Sequence, residues 1–332
     1  MRLPYRITND ILNLATEITL LLGHYEGLRI PVPQPELRKH TKIITIQSSL
    51  AIEGNTLTIG QVTDIINNKR VTGSKKDIVE VKNAIKAYDI ISDFTPNELS
   101  SLLRAHKILM DGLLIDAGRL RQGNVGVKAG ETVVHVAPSY KMVHELMNNL
   151  FAFLQEEKDL NPLIKSSVFH YEFEFIHPFM DGNGRVGRLW QSVILYDYKT
   201  IFEYIPVETI IHRKQMDYYK AIQESTQRGE STVFIQFMLE IIKEATIEFT
   251  KSIKPIKQST DLRIDIAKDH FGTGAFLRKD YLRLHTSIST ATASRDLAAG
   301  VQNNILTKTG KKATTKYRFE NKGENKGSNL YS

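Results

Sequence analysis

The stretch Ile176-His177-Pro178-Phe179-Met180-Asp181-Gly182-Asn183-Gly184-Arg185-Val186-Gly187-Arg188 brings an imidazole, a carboxylate, a glycine-rich turn and two guanidiniums into one short segment. An apolar run with Val168, Phe169, Tyr171 and Phe175 leads up to it and reads as a helix. Pro178 disfavours the α conformation for His177, so that helix should stop there and present the imidazole on a loop. Gly182-Asn183-Gly184 tolerates positive φ and can aim successive backbone N–H groups at one point, an anion-binding nest. A helix beginning beside it adds unbonded N–H groups and a positive dipole end. Arg185 and Arg188, three apart, share a face of that helix and can fork onto phosphate oxygens. The set suits a polyphosphate carried with a divalent cation. Asp181 is a hard oxygen ligand of the kind Mg2+ takes, and His177 can accept a proton from an attacking hydroxyl.

The elements that must position this loop read mostly as helix. Apolar residues at 3.6-type spacing predict helices over 7–25, 36–53, 60–67 and 77–94, and from Thr95 through Leu109. The same spacing predicts further helices over 141–155, 163–176, 185–198, 217–226 and 231–254. Between Gly118 and Pro138 the texture changes to valines punctuated by glycines. This predicts a β-hairpin of 124–128 and 132–137 turning at Ala129-Gly130. After a linker at 255–258 come three expected helices, two of them over 276–285 and 289–300. A short hairpin of 305–307 with 316–319 follows, with a basic tip at Lys311-Lys312. The tail, 321–332, is rich in Gly, Asn and Lys and is expected to fray.

Composition narrows the class. The chain has 332 residues, 24% charged and 41% hydrophobic, which is ordinary globular usage and excludes a collagenous or disordered chain. No apolar run is long enough to suggest a membrane span. No apolar segment of the signal-peptide kind follows Arg2 and Arg6, so no secretory leader is expected. There is no cysteine, which excludes disulfides, Cys-ligated zinc and thiol catalysis. A cytoplasmic setting is the expectation. The net charge of +7 is concentrated at one end, because residues 251–332 carry 16 Lys+Arg against 7 Asp+Glu. That asymmetry suits either a polyanionic partner or a basic solvated surface.

The segment HPFMDGNGRVGR, from His177 to Arg188, resembles the signature of the Fic family, whose members mostly move AMP from ATP onto a protein hydroxyl. The resemblance implies a mostly α fold: a helical core with a β-hairpin flap, here followed by a winged helix-turn-helix. It implies domains at 1–95, 96–255 and 256–332. His177 is the implied general base toward a Tyr, Thr or Ser hydroxyl, Phe179 an apolar anchor and Asp181 the Mg2+ ligand. Gly182, Asn183 and Gly184 are the implied anion hole for ATP, and Arg185 and Arg188 the phosphate arginines, Arg188 facing the γ-phosphate. No P-loop GxxxxGK[ST] and no kinase signature set is present.

Ser49 and Glu53, four apart, share a helix face, and Glu53 stands where the helix dipole disfavours an anion. The segment Ser49-Leu50-Ala51-Ile52-Glu53-Gly54 resembles the family's (S/T)xxxE(G/N) inhibitory motif. This implies that Glu53 pairs with Arg188, fills the γ-phosphate space and holds the enzyme autoinhibited. In some relatives the same glutamate supports removal of AMP instead. The hairpin, with Val125, Gly126, Val127 and Val134, would be the flap that receives a target strand by β-addition. The C-terminal module, 276–319, would bind DNA through Arg295 and the wing lysines, or dock a protein. Open alternatives are therefore another transferred group (phosphocholine, UMP or phosphate), a DNA-binding regulator that uses the core as a nucleotide sensor, self-modification, and a homodimer.

Overall fold

The computed structural model describes residues 3–27, 35–129, 132–252, 259–286, 288–311 and 314–320, and for 127–136 the backbone alone. Gly130 at the hairpin tip, Lys312 in the wing, the 255–258 linker and the 321–332 tail lie outside the described residues. The chain forms two compact units, Met1–Ile253 and Lys254–Ser332. No helix among the described residues is long and apolar enough to cross a membrane.

In the first unit the helices are α1 (Asn9–Gly27), α2 (Pro35–Ile52), α3 (Ile59–Ile66), α4 (Lys75–Asp89) and α5 (Leu99–Leu109). The strands β1 (Gly126–Ala129) and β2 (Thr132–Val136) follow, then α6 (Tyr140–Glu156), α7 (Pro162–Ile176) and α8 (Asn183–Tyr198). The unit closes with α9 (Val207–Arg213), α10 (Gln215–Arg228) and α11 (Thr232–Ser252). Helix α7 is the axis of the core. Leu163, Val168, Phe169, Phe173 and Ile176 are buried, and so are His170, Glu172 and Glu174. A helix apolar on all sides belongs in the interior, and α7 packs against α6, α8 and α11. Pro162 opens it and the Asn161 side chain accepts from Leu163 N–H, a cap that fixes where it starts.

β1 and β2 pair antiparallel, with Gly126 opposite Val136 and Val127 opposite His135. The register then shifts so that Lys128 meets Val133, which leaves Val134 as the extra residue of a bulge.

Some boundaries differ from the sequence expectation. The helix expected over 77–94 ends at Asp89, and a 3-10 turn covers Ile91–Asp93. Pro96 does not open the next helix. It stands in a turn that its carbonyl ties to Trp190 Nε1 at 3.0 Å, and α5 opens at Leu99. Helix α9 and the preceding 3-10 turn, Thr200–Tyr204, fall outside the elements expected from the sequence. Their apolar residues (Phe202, Ile205, Val207, Ile210, Ile211) fall in short elements without a helical period.

The second unit runs α12 (Thr260–Phe271), β3 (Phe276–Leu277), α13 (Arg278–Leu284), α14 (Thr290–Gln302), β4 (Leu306–Thr309) and β5 (Lys316–Phe319). Its antiparallel sheet has the order β3-β5-β4. The helix expected from Phe276 is a correction, because Phe276 and Leu277 pair with β5 first. Leu277 then caps α13, its N–H donating to Asp280 Oδ2 at 3.0 Å. A buried Arg263–Asp296 ion pair, Nε to Oδ2 at 2.6 Å, pins α12 to α14.

Candidate active site

Helix α7 ends at His177, which takes a left-handed conformation (φ 50, ψ 61) while its N–H still bonds Phe173 O at 2.9 Å. A left-handed backbone costs a bulky residue on the order of 1 kcal/mol, so the loop beyond must be held by other bonds. Arg121, buried between α5 and β1, donates to His177 O at 2.8 Å and Ile176 O at 3.3 Å, and its backbone N–H to Pro178 O at 2.9 Å. The Asn183 side chain bonds both Phe179 N and Phe179 O at 2.9 Å. His106 stacks flat on the Phe179 ring, centroids 3.6 Å apart, and its Nε2–H donates to Asp181 O at 3.0 Å. His106 Nδ1 accepts from Gly118 N–H at 2.7 Å, which sets the tautomer. Burial pushes this imidazole down to about 4, so it stays neutral and holds both bonds at neutral pH.

The result is a loop whose carbonyls at 176, 177, 178, 179 and 181 are all engaged. The His177 imidazole is half-buried at its rim. His177 Nδ1 lies 3.4 Å from Glu174 O.

Gly182 (φ +86) is the N-cap of α8, and no side chain caps the N–H groups of the first turn. Such amides are the cradle that an anion could use, and the Asn183 side chain, bonded to the loop, leaves only its backbone N–H among them. Asp181 is exposed, and its Oδ1 accepts from Gly182 N at 2.6 Å and Arg185 Nη2 at 2.9 Å. Arg185 also bonds Glu80 Oε1 at 2.8 Å in a buried pair, and Glu80 Oε2 accepts from Asn55 Nδ2 at 2.8 Å.

The segment Ser49–Gly54 sits against the start of α8. Helix α2 ends in a Schellman turn: Asn55 N–H bonds Leu50 O and Gly54 N–H bonds Ala51 O, with Gly54 at φ +87. The turn leaves Glu53 at the C-cap. Arg188 Nη2 donates to Glu53 Oε1 at 2.7 Å and to Ser49 O at 2.9 Å, and Nε donates to Ser49 Oγ at 3.1 Å. The Arg188 side chain is 1% exposed. Burial alone would lower its pKa, but Glu53 more than offsets that, so the guanidinium stays charged. A methyl built on Gly184 would stand 2.3 Å from Glu53 Oε1. The Glu53 carboxylate therefore lies directly over the cradle.

Trp190 and Tyr218 are both buried. Trp190 is fully buried against Phe94 and Phe151, and Tyr218 OH meets His170 Nε2 at 3.0 Å inside the core. Val125 and Gly126 stand at the start of the hairpin; the side chains of Val127 and Val134 lie outside the described residues.

Residues 96–195 match the profile described as Fic/DOC family. A crystal structure of a Fic family protein from Desulfovibrio desulfuricans G20 is 38% identical, covers 98% of this chain and 100% of that one, and superposes with a TM-score of 0.74. The chain belongs to the Fic family. Among curated Fic relatives, protein adenylyltransferase fic-1 of Caenorhabditis elegans is 25% identical over 251 residues, 72% of this chain and 46% of that protein. Protein adenylyltransferase Fic of Nematostella vectensis is 26% identical, covering 62% and 48%. The chain thus spans about half the length of these curated relatives. The solved structure of Fic-1 from C. elegans, 20% identical, covering 73% of this chain and 74% of that one with a TM-score of 0.56, shares the fold.

Behind the Fic loop lies a second carboxyl. Glu174 Oε1 is buried without a hydrogen-bond partner among the described residues, 3.9 Å from His170 Nε2. A methyl on Gly187 would approach it to 2.5 Å. Burial pushes Glu174 up to about 8, with Arg188 opposing, and Glu172 up to about 7. His170 is pushed down to about 3 by burial. Between an unfolded value of 4.5 and a folded value near 8, the native Glu174 holds a proton that the unfolded chain releases. Its contribution to stability therefore falls as pH rises through that window. His170 acts in the opposite sense, but only from about 3 to 6.5. Above pH 6.5 the melting temperature should decline with pH in the wild type and less steeply in Glu174→Gln. Parallel declines in scanning calorimetry would contradict a protonated Glu174.

Proposed function

We propose that this chain is a protein adenylyltransferase that moves AMP from ATP onto a Tyr, Thr or Ser hydroxyl of a protein, and that Glu53 holds it inhibited. The observation that carries the reading is the Glu53 carboxylate bonded to buried Arg188 and lying over the α8 amides. An anion already occupies the place where a terminal phosphate would sit. The adenylyltransferase names of the curated relatives support the same chemistry.

In this reading the α8 amides and Arg185 take the phosphates, and Arg188 takes the terminal one once Glu53 leaves. The hydroxyl oxygen attacks the α-phosphorus, the bond to the β-phosphate oxygen breaks, pyrophosphate departs and the hydroxyl proton passes to His177 Nε2. The donor set at Asp181 fits a Mg2+ that arrives with the nucleotide. One exposed carboxylate suits an ion completed by phosphate oxygens and water, and no cluster of three or more His, Cys, Asp or Glu able to hold a metal stands among the described residues. When bound, Mg2+ would neutralise charge on the phosphates. A cytoplasmic setting supplies both ATP and Mg2+. The test is mass spectrometry of AMP adducts, on the chain itself and on lysate proteins, after incubating Glu53→Gly with ATP and Mg2+. AMP adducts that disappear in the additional His177→Ala variant support the reading. Their absence overturns it, and adducts of another phosphate-linked group would indicate a different donor.

A second reading concerns the C-terminal unit, where we propose that 276–319 contacts DNA. The charge of this unit is polarised. Helix α12 exposes Asp261, Asp265 and Asp269 at four-residue spacing, whereas α14 exposes Arg295 and the strands expose Lys308, Lys316 and Arg318. The order helix, strand, helix, helix, strand, strand places α14 as the helix that would enter a groove. Duplex binding by the full chain should weaken as salt rises, and Lys308→Ala with Lys316→Ala should reduce the log–log slope by about 1 to 2. A slope unchanged by the two substitutions would assign this face to a protein partner.

A further inference from the structure

Arg121 makes more bonds than holding His177 requires. Besides Ile176 O, His177 O and Pro178 O, its Nη1 donates to Gly123 O at 2.8 Å and its Nη2 to Pro138 O at 2.5 Å. Gly123 precedes β1 and Pro138 follows β2, so these two carbonyls flank the hairpin on either side. Asn124 Oδ1, accepting from Tyr140 N at 3.1 Å, closes the same base a second time. The guanidinium of buried Arg121 thus grips both legs of the hairpin and two consecutive carbonyls of the His177 loop, Ile176 O and His177 O, while the Arg121 backbone N–H holds the third, Pro178 O. All of these acceptors are main-chain oxygens, so the clasp fixes backbone against backbone.

We infer that Arg121 is a positioning residue that locks the register of the hairpin to the His177 imidazole, so that a hydroxyl presented along the strand edge arrives beside the base. This rests on the adenylyl-transfer reading above. Its physical basis is the geometry of attack: a strand added to β1 or β2 is placed by main-chain bonds, and displacement of the hydroxyl by about 1 Å can cost on the order of 10²-fold in rate. Only a planar fork with five donors reaches both legs and the loop at once, and lysine, with one charged tip, cannot replace it. Arg121 touches none of the α8 amides, Arg185 or Arg188, so nucleotide binding does not depend on it directly.

The experiment compares Arg121→Lys with its parent, both in the Glu53→Gly background. Three readouts are followed: binding stoichiometry and affinity for a non-hydrolysable ATP analogue, the steady-state split of self-modification, and amide exchange over 126–129 and 132–136. The expected result is unchanged stoichiometry, affinity and KM for ATP within about threefold, and kcat lower by on the order of 10²-fold. Exchange of the hairpin amides should rise by about tenfold or more, while α11 amides stay protected. Two results would overturn the inference. One is a kcat that falls only in proportion to lost binding sites, the mark of a merely destabilised fold. The other is hairpin exchange that does not change. Exchange needs no turnover, so if the Glu53→Gly parent forms no adduct, the transfer reading fails while the clasp is still judged by the hairpin amides.

Discussion

Glu53→Gly should transfer AMP faster than the wild type by about 10- to 100-fold, the range of a typical coupling free energy. The Glu53 carboxylate is held by a charge-assisted bond to an arginine whose side chain is 1% exposed, and it lies against the backbone at Gly184. Removing it opens that volume and leaves an Arg188 donor for the terminal phosphate. The variant should also carry a stability cost. Arg188 keeps Ser49 Oγ and Ser49 O as neutral acceptors, but its charge loses its carboxylate partner in a buried place. The melting temperature without nucleotide should therefore fall, and ATP with Mg2+ should raise it more in Glu53→Gly than in the wild type, because the terminal phosphate replaces the missing anion. Equal transfer rates in the two proteins would remove the brake, and equal thermal shifts would show that Glu53 does not compete with the nucleotide.

The second large effect is at His177. In the Glu53→Gly background, His177→Ala should lower transfer by roughly 10²–10⁴-fold, the usual contribution of a positioned base. Affinity for the nucleotide should stay within a few-fold, because in the proposed mechanism the α8 amides and the two arginines take the phosphates and the imidazole takes only the proton. The loop itself should survive. Its carbonyls are held by Arg121, Asn183 and His106, and alanine at 177 removes none of those donors. A loss of binding equal to the loss of rate would indicate that His177 shapes the pocket and does not take the proton.

The segment 177–188 stands out in the sequence because its candidate residues are contiguous, and the structure gathers them at the junction of α7 and α8. Long helices such as α6, α7 and α11 were legible from period and length, and the hairpin from its valines and glycines. What stayed hidden was carried by single side chains acting across long sequence separations. Glu80 lies on the same α4 face as Val81, Ala84 and Ala87, and a carboxylate there was a signal of a buried partner, here Arg185. His106 in the apolar stripe of α5 was a similar signal, and only the fold reveals the Phe179 ring it stacks on. Arg121 gave no such sign, since its partners are all backbone oxygens. Trp190, fully buried, shows the same limit of sequence: an aromatic near a motif reads alike whether it lines a pocket or fills the core.

The most direct measurement is a crystal structure of Glu53→Gly soaked with Mg2+ and a non-hydrolysable ATP analogue. The account predicts the terminal phosphate on Arg188, in the place Glu53 Oε1 now holds, the inner phosphates on the α8 amides, and the α-phosphorus on the side of the loop that bears His177. A nucleotide bound elsewhere, or a terminal phosphate that does not reach Arg188, would contradict it.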